Sequence, residues 1–248
     1  MVHAAAQSEA TSRPTFEVAS VKLHKDDGVG PRNSRTTWGP QGVDLERPLA
    51  FIISEAYHIP PGYIVGPSSL TKEALWGALS QGYDIVAKAD HRVSRDQLRL
   101  MLQSLLADRF QLTMHRESKV RSVYRLVVAK GGPKLEDSEP VGDLVMSRTP
   151  EGFVYRHAEA FRICGLLSSH LDRMVVDETG LKGLYNFTVK LPEDLIRNAL
   201  PKSDLPSPDS PTAGRFADVL KPLGLQLIAG TASVEYLVVD HVERPTEN

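Results

Sequence analysis

The sequence predicts an α+β fold: antiparallel sheet units, each packed by one helix, as repeated helix–strand–strand modules in two lobes. Three observations carry that expectation. The first is a single apolar stripe, Leu98, Met101, Leu102, Leu105 and Leu106, at the spacing of one helix face. The second is alternating, β-branched sequence directly behind it, Gln111–Glu117 and Val123–Ala129. The third is recurrence. A helix followed by two strand-like runs reads at Ser94–Ala129, His157–Leu191 and Thr212–Val242, with a weaker copy at Pro48–Ala87. No fixed period joins these units, which argues against a solenoid.

In chain order, residues 1–15 (MVHAAAQSEATSRPT) are small, polar and aperiodic, and are expected to be a disordered remnant. Ala4-Ala5-Ala6-Gln7 resembles the tail of a signal-peptide cleavage region, with no basic or apolar region before it. The expectation is a mature exported protein, periplasmic or extracellular. A first lobe is expected over 16–134. Phe16–Leu23 alternates and reads as a strand. Asp26–Gly42 is rich in Gly, Arg and Pro: a loop, or a loosely paired hairpin around Arg35–Trp38. Pro48 opens a helix at its first turn, with Leu49, Ile52, Ile53, Ala56 and Tyr57 on one face. Ile59-Pro60-Pro61-Gly62 ends it. A short strand or edge (Tyr63–Pro67), a short helix (Thr71–Ser80) and a strand (Tyr83–Ala87) follow.

Ser94, with Gln97 three residues on, is a capping box for the main helix, and Asp96 sits in its first turn. Arg95, Arg99, Gln103 and Asp108 lie off the apolar stripe and are expected to face water. The two runs behind the helix read as a hairpin, stopped by Gly131-Gly132-Pro133.

A polar connector, Leu135–Leu144, leads to a second lobe expected over 145–248. Val145–His157 reads as two strands about the Pro150-Glu151-Gly152 turn. Ala160, Ile163, Cys164, Leu167 and Leu171 form a helical stripe, so Cys164 reads as a buried core thiol. Met174–Val176 is a strand, with Leu184–Leu191 as its expected partner. Residues 192–211 are dense in Pro and Ser and read as a linker. Thr212 opens a last helix, with Phe216, Val219, Leu220 and Leu223 on its stripe and Gly224 closing it. Leu225–Ile228 and Val234–Val242 read as a second hairpin.

Composition removes several function classes. A net charge of −2 without a long basic run leaves no electrostatic footprint for nucleic acid. No apolar run approaches a membrane span. One cysteine excludes an internal disulfide and a cysteine-rich metal site. The eight histidines are scattered, and no His-Glu-x-x-His pair, Gly-x-Ser-x-Gly elbow or phosphate-cradling glycine loop occurs. No metal and no cofactor is expected.

Several stretches carry a resemblance: MLQSLLADRFQLTMHRESK, VYRLVVAKGGPKL, FEVASVK, YDIVAKAD, DETGLKGLYNFTV and VVDHVERPTEN. Together they resemble an uncharacterised domain-of-unknown-function family that is greatly expanded in soil acidobacteria, over Phe16 to Asn248. The resemblance implies export, and fusion in some members to membrane metallopeptidase domains of the β-lactam-sensor type. It implies no catalytic residues. This chain departs from the family at Ser68-Ser69-Leu70, where many members carry a Trp-containing segment.

The residues that suit chemistry are few. His115 and Glu117 lie two apart on a strand, so they share a face and suit an acid–base pair. Alone, two such residues are an ordinary polar sheet face, with Arg116 and Arg125 as cross-strand partners. A site needs a third residue, for example His157, His170 or His241. Asp240-His241 is disfavoured as a pair, because adjacent strand residues point oppositely. Arg116 is a ligand-binding candidate but is expected to point toward the core. Trp38 is a candidate platform for a sugar or aromatic ligand, or else a lid on a core edge.

Two readings follow. The first is an exported, envelope-associated binding or sensory module for a small molecule or an envelope protein. The alternative is a hydrolase-type enzyme with an acid/base site at the lobe junction near His115 and Glu117.

Overall fold

The structure, a computed structural model, describes residues 13–24, 36–67, 72–139, 144–192 and 212–245. Residues 1–12 of the expected remnant, most of the 26–42 loop, the departure at Ser68–Leu70, part of the 135–144 connector and nearly all of the 192–211 linker lie outside the described residues.

The α+β expectation holds, in three mostly antiparallel sheets. The first sheet has the order β1 (Val18–Leu23), β5 (Gly82–Lys88), β3 (Gly42–Pro48), β2 (Thr36–Gly39). Its inward rows, such as Val21, Ile85 and Leu45, pack against α1 (Leu49–Tyr57) and α3 (Arg95–Phe110). α2 (Lys72–Leu79) adds Leu75 and Leu79 to the same core. The cap of α3 forms as expected: the Gln97 amide donates to the Ser94 hydroxyl at 3.2 Å. Its whole stripe, Leu98 to Leu106, is buried. The helix ends at Gln111 in a left-handed turn, and the strand starts two residues later.

The second sheet departs from the expected hairpins. The runs at 111–117 and 123–129 are one strand, β6 (Thr113–Val128). The runs at 225–228 and 234–242 are also one strand, β12 (Leu225–His241). Each long strand takes the other as partner, in register from Leu225 opposite Val128 to His241 opposite Thr113. The polar segment Ser118–Ser122, between the two runs, is the exposed middle of this ribbon. Gly230, between the other two runs, has no left-handed backbone. The partner strand satisfies the ladder, so neither run needs to fold back on itself.

Two short strands join the ribbon in parallel. β10 (Val175–Asp177) lies on β6 at Tyr124–Leu126, and β4 (Ile64–Val65) lies on β12 at Leu237–Val238. β10 therefore does not pair with the 184–191 run. That run, β11 (Tyr185–Lys190), sits in the third sheet, of order β7 (Glu136–Asp137), β11, β9 (Gly152–Ala158), β8 (Val145–Thr149). α4 (Phe161–Ser168) and α5 (Thr212–Leu220) cover it.

Buried side chains form two clusters. One lies between the first sheet and α1–α3; the other lies between the third sheet, α4 and α5. The ribbon feeds both. Leu225, Tyr124 and Leu126 enter the second cluster, and Val123, Val234, Leu237 and Val239 enter the first. Gly224 makes the turn from α5 into β12 with φ 68°, where a Cβ would fall 2.2 Å from the Gly132 carbonyl oxygen.

Candidate functional site

Strand alternation places His115 and Glu117 on one face of β6, as expected. The third residue comes from β12. A register shift between Val239 and His241 leaves Asp240 as the extra residue of a bulge. Its carboxylate meets His115 Nδ1 at 2.8 Å, while His115 Nε2 faces Glu117 Oε1 at 3.3 Å. Lys119 extends the row, with its ammonium 2.5 Å from Glu117.

Hydrogen bonds to Asp240, then to Glu117, push the His115 pKa up. Lys119 first, and then His115, hold the Glu117 carboxyl below its ordinary range. With both ring nitrogens facing carboxylates, the ring is fully satisfied only as imidazolium. The constellation is open: the His115 side chain is 48% exposed. It is a fixed pattern of alternating charge rather than a ready base, because neither nitrogen keeps a lone pair free to take a proton.

The other candidates lie apart. Arg116 is on the opposite face and does not point into the core; its guanidinium pairs with Glu235 and is exposed. Trp38 is 4% exposed, inside β2, paired with Val43. It covers the core edge, with the guanidinium of Arg95 5.5 Å and that of Arg99 5.7 Å from its ring. Of the histidines expected to complete a site, His157 meets the Ser138 hydroxyl, His170 the Leu166 carbonyl, and His241 meets Glu243. Asp240 and His241 do point apart. Cys164 is buried, and burial pushes its thiol well above the ordinary value. Among the described residues no three His, Cys, Asp or Glu side chains gather as a metal site.

One charged constellation was missed by sequence reasoning. Glu55 on α1 is 2% exposed, yet it accepts two bonds from Arg162 of α4 (2.9 and 2.8 Å) and one from Arg47 of β3 (3.2 Å). Burial pushes its carboxyl up, but Arg162 and Arg47 outweigh that and hold it below the ordinary range. Nearby, Arg99 grips Glu159 through both carboxylate oxygens at 2.8 and 2.7 Å. Arg99 was expected to face water, but it is buried because this acid lies across from it in the fold. The pairs are 107 and 60 residues apart in sequence, so helix periodicity alone held no signal for them. Both join the first core cluster to the elements of the second.

Comparison with protein families matches residues 51–242 to the family model described as Protein of unknown function (DUF3738). Comparison with curated proteins and with solved structures returned no match.

Proposed function

The chain belongs to the DUF3738 family of unknown function, and from that premise we propose that it is an exported, envelope-associated binding module for a protein partner. The export half of the reading rests on the family resemblance. The binding half rests on one observation above the others, the middle of the β6/β12 ribbon.

There Ser118–Ser122 lies opposite Thr231–Glu235, and Val120 is 75% exposed. β10 covers β6 only from Tyr124, so among the described residues the β6 edge from Thr113 to Val123 has no neighbouring strand. An extended segment of a partner can add itself to such an edge through main-chain hydrogen bonds. Lys119 and Arg121 sit along it, and Arg121 carries no ion pair among the described residues, so the chemistry favours an acidic segment. The hydrolase reading has less support. Its base would be an imidazole already bonded on both sides, on an open surface rather than in a cleft.

The test is a photo-reactive residue placed at Val120 in intact cells, with the same residue at Val86 of the first sheet as control. The expected result is one discrete partner from Val120 only, lost in Arg121→Glu at an unchanged thermal midpoint. Equal labelling from both positions argues against the ribbon. A turnover abolished by His115→Ala in the folded protein would return the molecule to the hydrolases.

A further inference from the structure

A second surface feature stands apart from the ribbon. The β2–β3 turn and the start of α3 enclose a cavity of about 390 Å3 that opens to solvent. Two main-chain bonds hold its walls together: the Val93 amide to the Pro40 carbonyl at 3.0 Å, and the Ala89 amide to Gln41 at 2.7 Å. Trp38, Pro40 and Leu98 form its apolar side, and Arg92, Arg95 and Ser94 its polar side.

The two arginines of the cavity differ from those that the fold uses in ion pairs. Arg47, Arg99, Arg116, Arg125 and Arg162 are all tied to carboxylates. Arg92 and Arg95 border the cavity and have no hydrogen bond or ion pair among the described residues. Arg95 also lies over the Trp38 ring, so its guanidinium is held beside an aromatic surface. Burial first, with the charges of Arg99 and Arg162, lowers its pKa against the opposing pull of Glu159 and Glu55, the mark of a cation partly stripped of water. The nearest acid on the same helix, Asp96, is already held by Arg99 at 2.8 Å.

We infer that this cavity binds a small organic oxyanion, a carboxylate or phosphate carried on a flat apolar body. The two guanidiniums take the oxyanion, and their fork geometry suits either group. The body lies against Pro40 and the edge of Trp38. The volume falls within the range of small-molecule pockets, roughly 300–1,000 Å3. This ligand is distinct from the protein partner proposed for the ribbon, and the cavity reading stands or falls separately from it.

The test uses four probes: benzoate, phenyl phosphate, acetate and inorganic phosphate. Trp76 is the other tryptophan in the chain, so Trp76→Phe leaves Trp38 as the sole indole N–H resonance. Titration should move that resonance saturably with benzoate or phenyl phosphate. Whichever aromatic probe binds should do so about tenfold or more tightly than its body-less counterpart, since the apolar wall contributes. The stronger of the two identifies the headgroup. Arg92→Gln and Arg95→Gln should each weaken binding by about tenfold, the loss of one charge-assisted contact. Arg92 is exposed, so its variant should keep the wild-type thermal midpoint even if that of Arg95 does not. No saturable shift with any probe overturns the site. So does binding that survives Arg92→Gln unchanged, or binding of acetate and benzoate with equal strength.

Discussion

His115 is held by two carboxylates from two strands, and its protonation is the clearest property to follow at the scale of one residue. Its raised pKa means that the folded state binds the proton more tightly than the unfolded chain does. The associated stability is present in full below the unfolded histidine value, near 6.5, and fades as pH rises through the higher folded value. By NMR, His115 should titrate above a free histidine. Asp240→Asn should lower that midpoint more than Glu117→Gln, because the bond to Asp240 is the first cause of the shift. An unmoved midpoint in Asp240→Asn would mean that the bulge does not aim this carboxylate. The pairing of His115 with Glu117 was legible in the sequence, since both lie on one strand and a two-residue spacing fixes their face. Asp240 was not legible. Its aim depends on a bulge in a strand 125 residues away, and bulges leave no mark in a local pattern.

At the scale of elements, α3 is where local sequence and final fold agree most closely. Its cap, its stripe and its end all follow from the residues that compose it. Leu102 is fully buried between the first sheet and α1, so Leu102→Ala should cost about 2–5 kcal/mol, read as a shift in denaturant midpoint. A midpoint equal to wild type would remove the stripe from the core. The strands were legible as strands, but their partners were not. Alternation in Val123–Val128 reports that one face is buried and says nothing about which segment lies alongside. Short-range pairing is the natural first expectation for two neighbouring runs. Here β6 and β12 satisfy each other along their whole length, and the same economy leaves β11 to the third sheet. Arg99 failed as a surface residue for a related reason: its acid, Glu159, is supplied by another element.

At the scale of the whole molecule, the two core clusters meet across buried charge. Glu55 belongs to α1 in the first cluster and Arg162 to α4 in the second, and Arg47 completes the group from β3. Tyr63 adds a neutral link of the same sense, donating its hydroxyl to the Val175 carbonyl at 2.6 Å. Such a network is not a large net source of stability, because each charge loses its water. Breaking it from one side is a different matter. Glu55→Gln leaves Arg162 and Arg47 buried without their acid, and should destabilise the protein by about 3–5 kcal/mol at neutral pH. The pH dependence follows from the direction of the shift. The folded pKa of Glu55 lies below the ordinary value, so its contribution is complete above the unfolded carboxylate pKa, near 4.3. It is lost as pH falls through the folded value. The gap between wild type and Glu55→Gln, measured by denaturant midpoints, should therefore be widest near pH 7 and narrow steadily below about pH 4. Arg162→Met should be destabilising as well, whereas replacing Glu55, Arg47 and Arg162 together with apolar residues of similar volume should recover much of the loss. A gap that stays constant with pH would show that Glu55 acts through packing alone, and that charge does not hold the two clusters together.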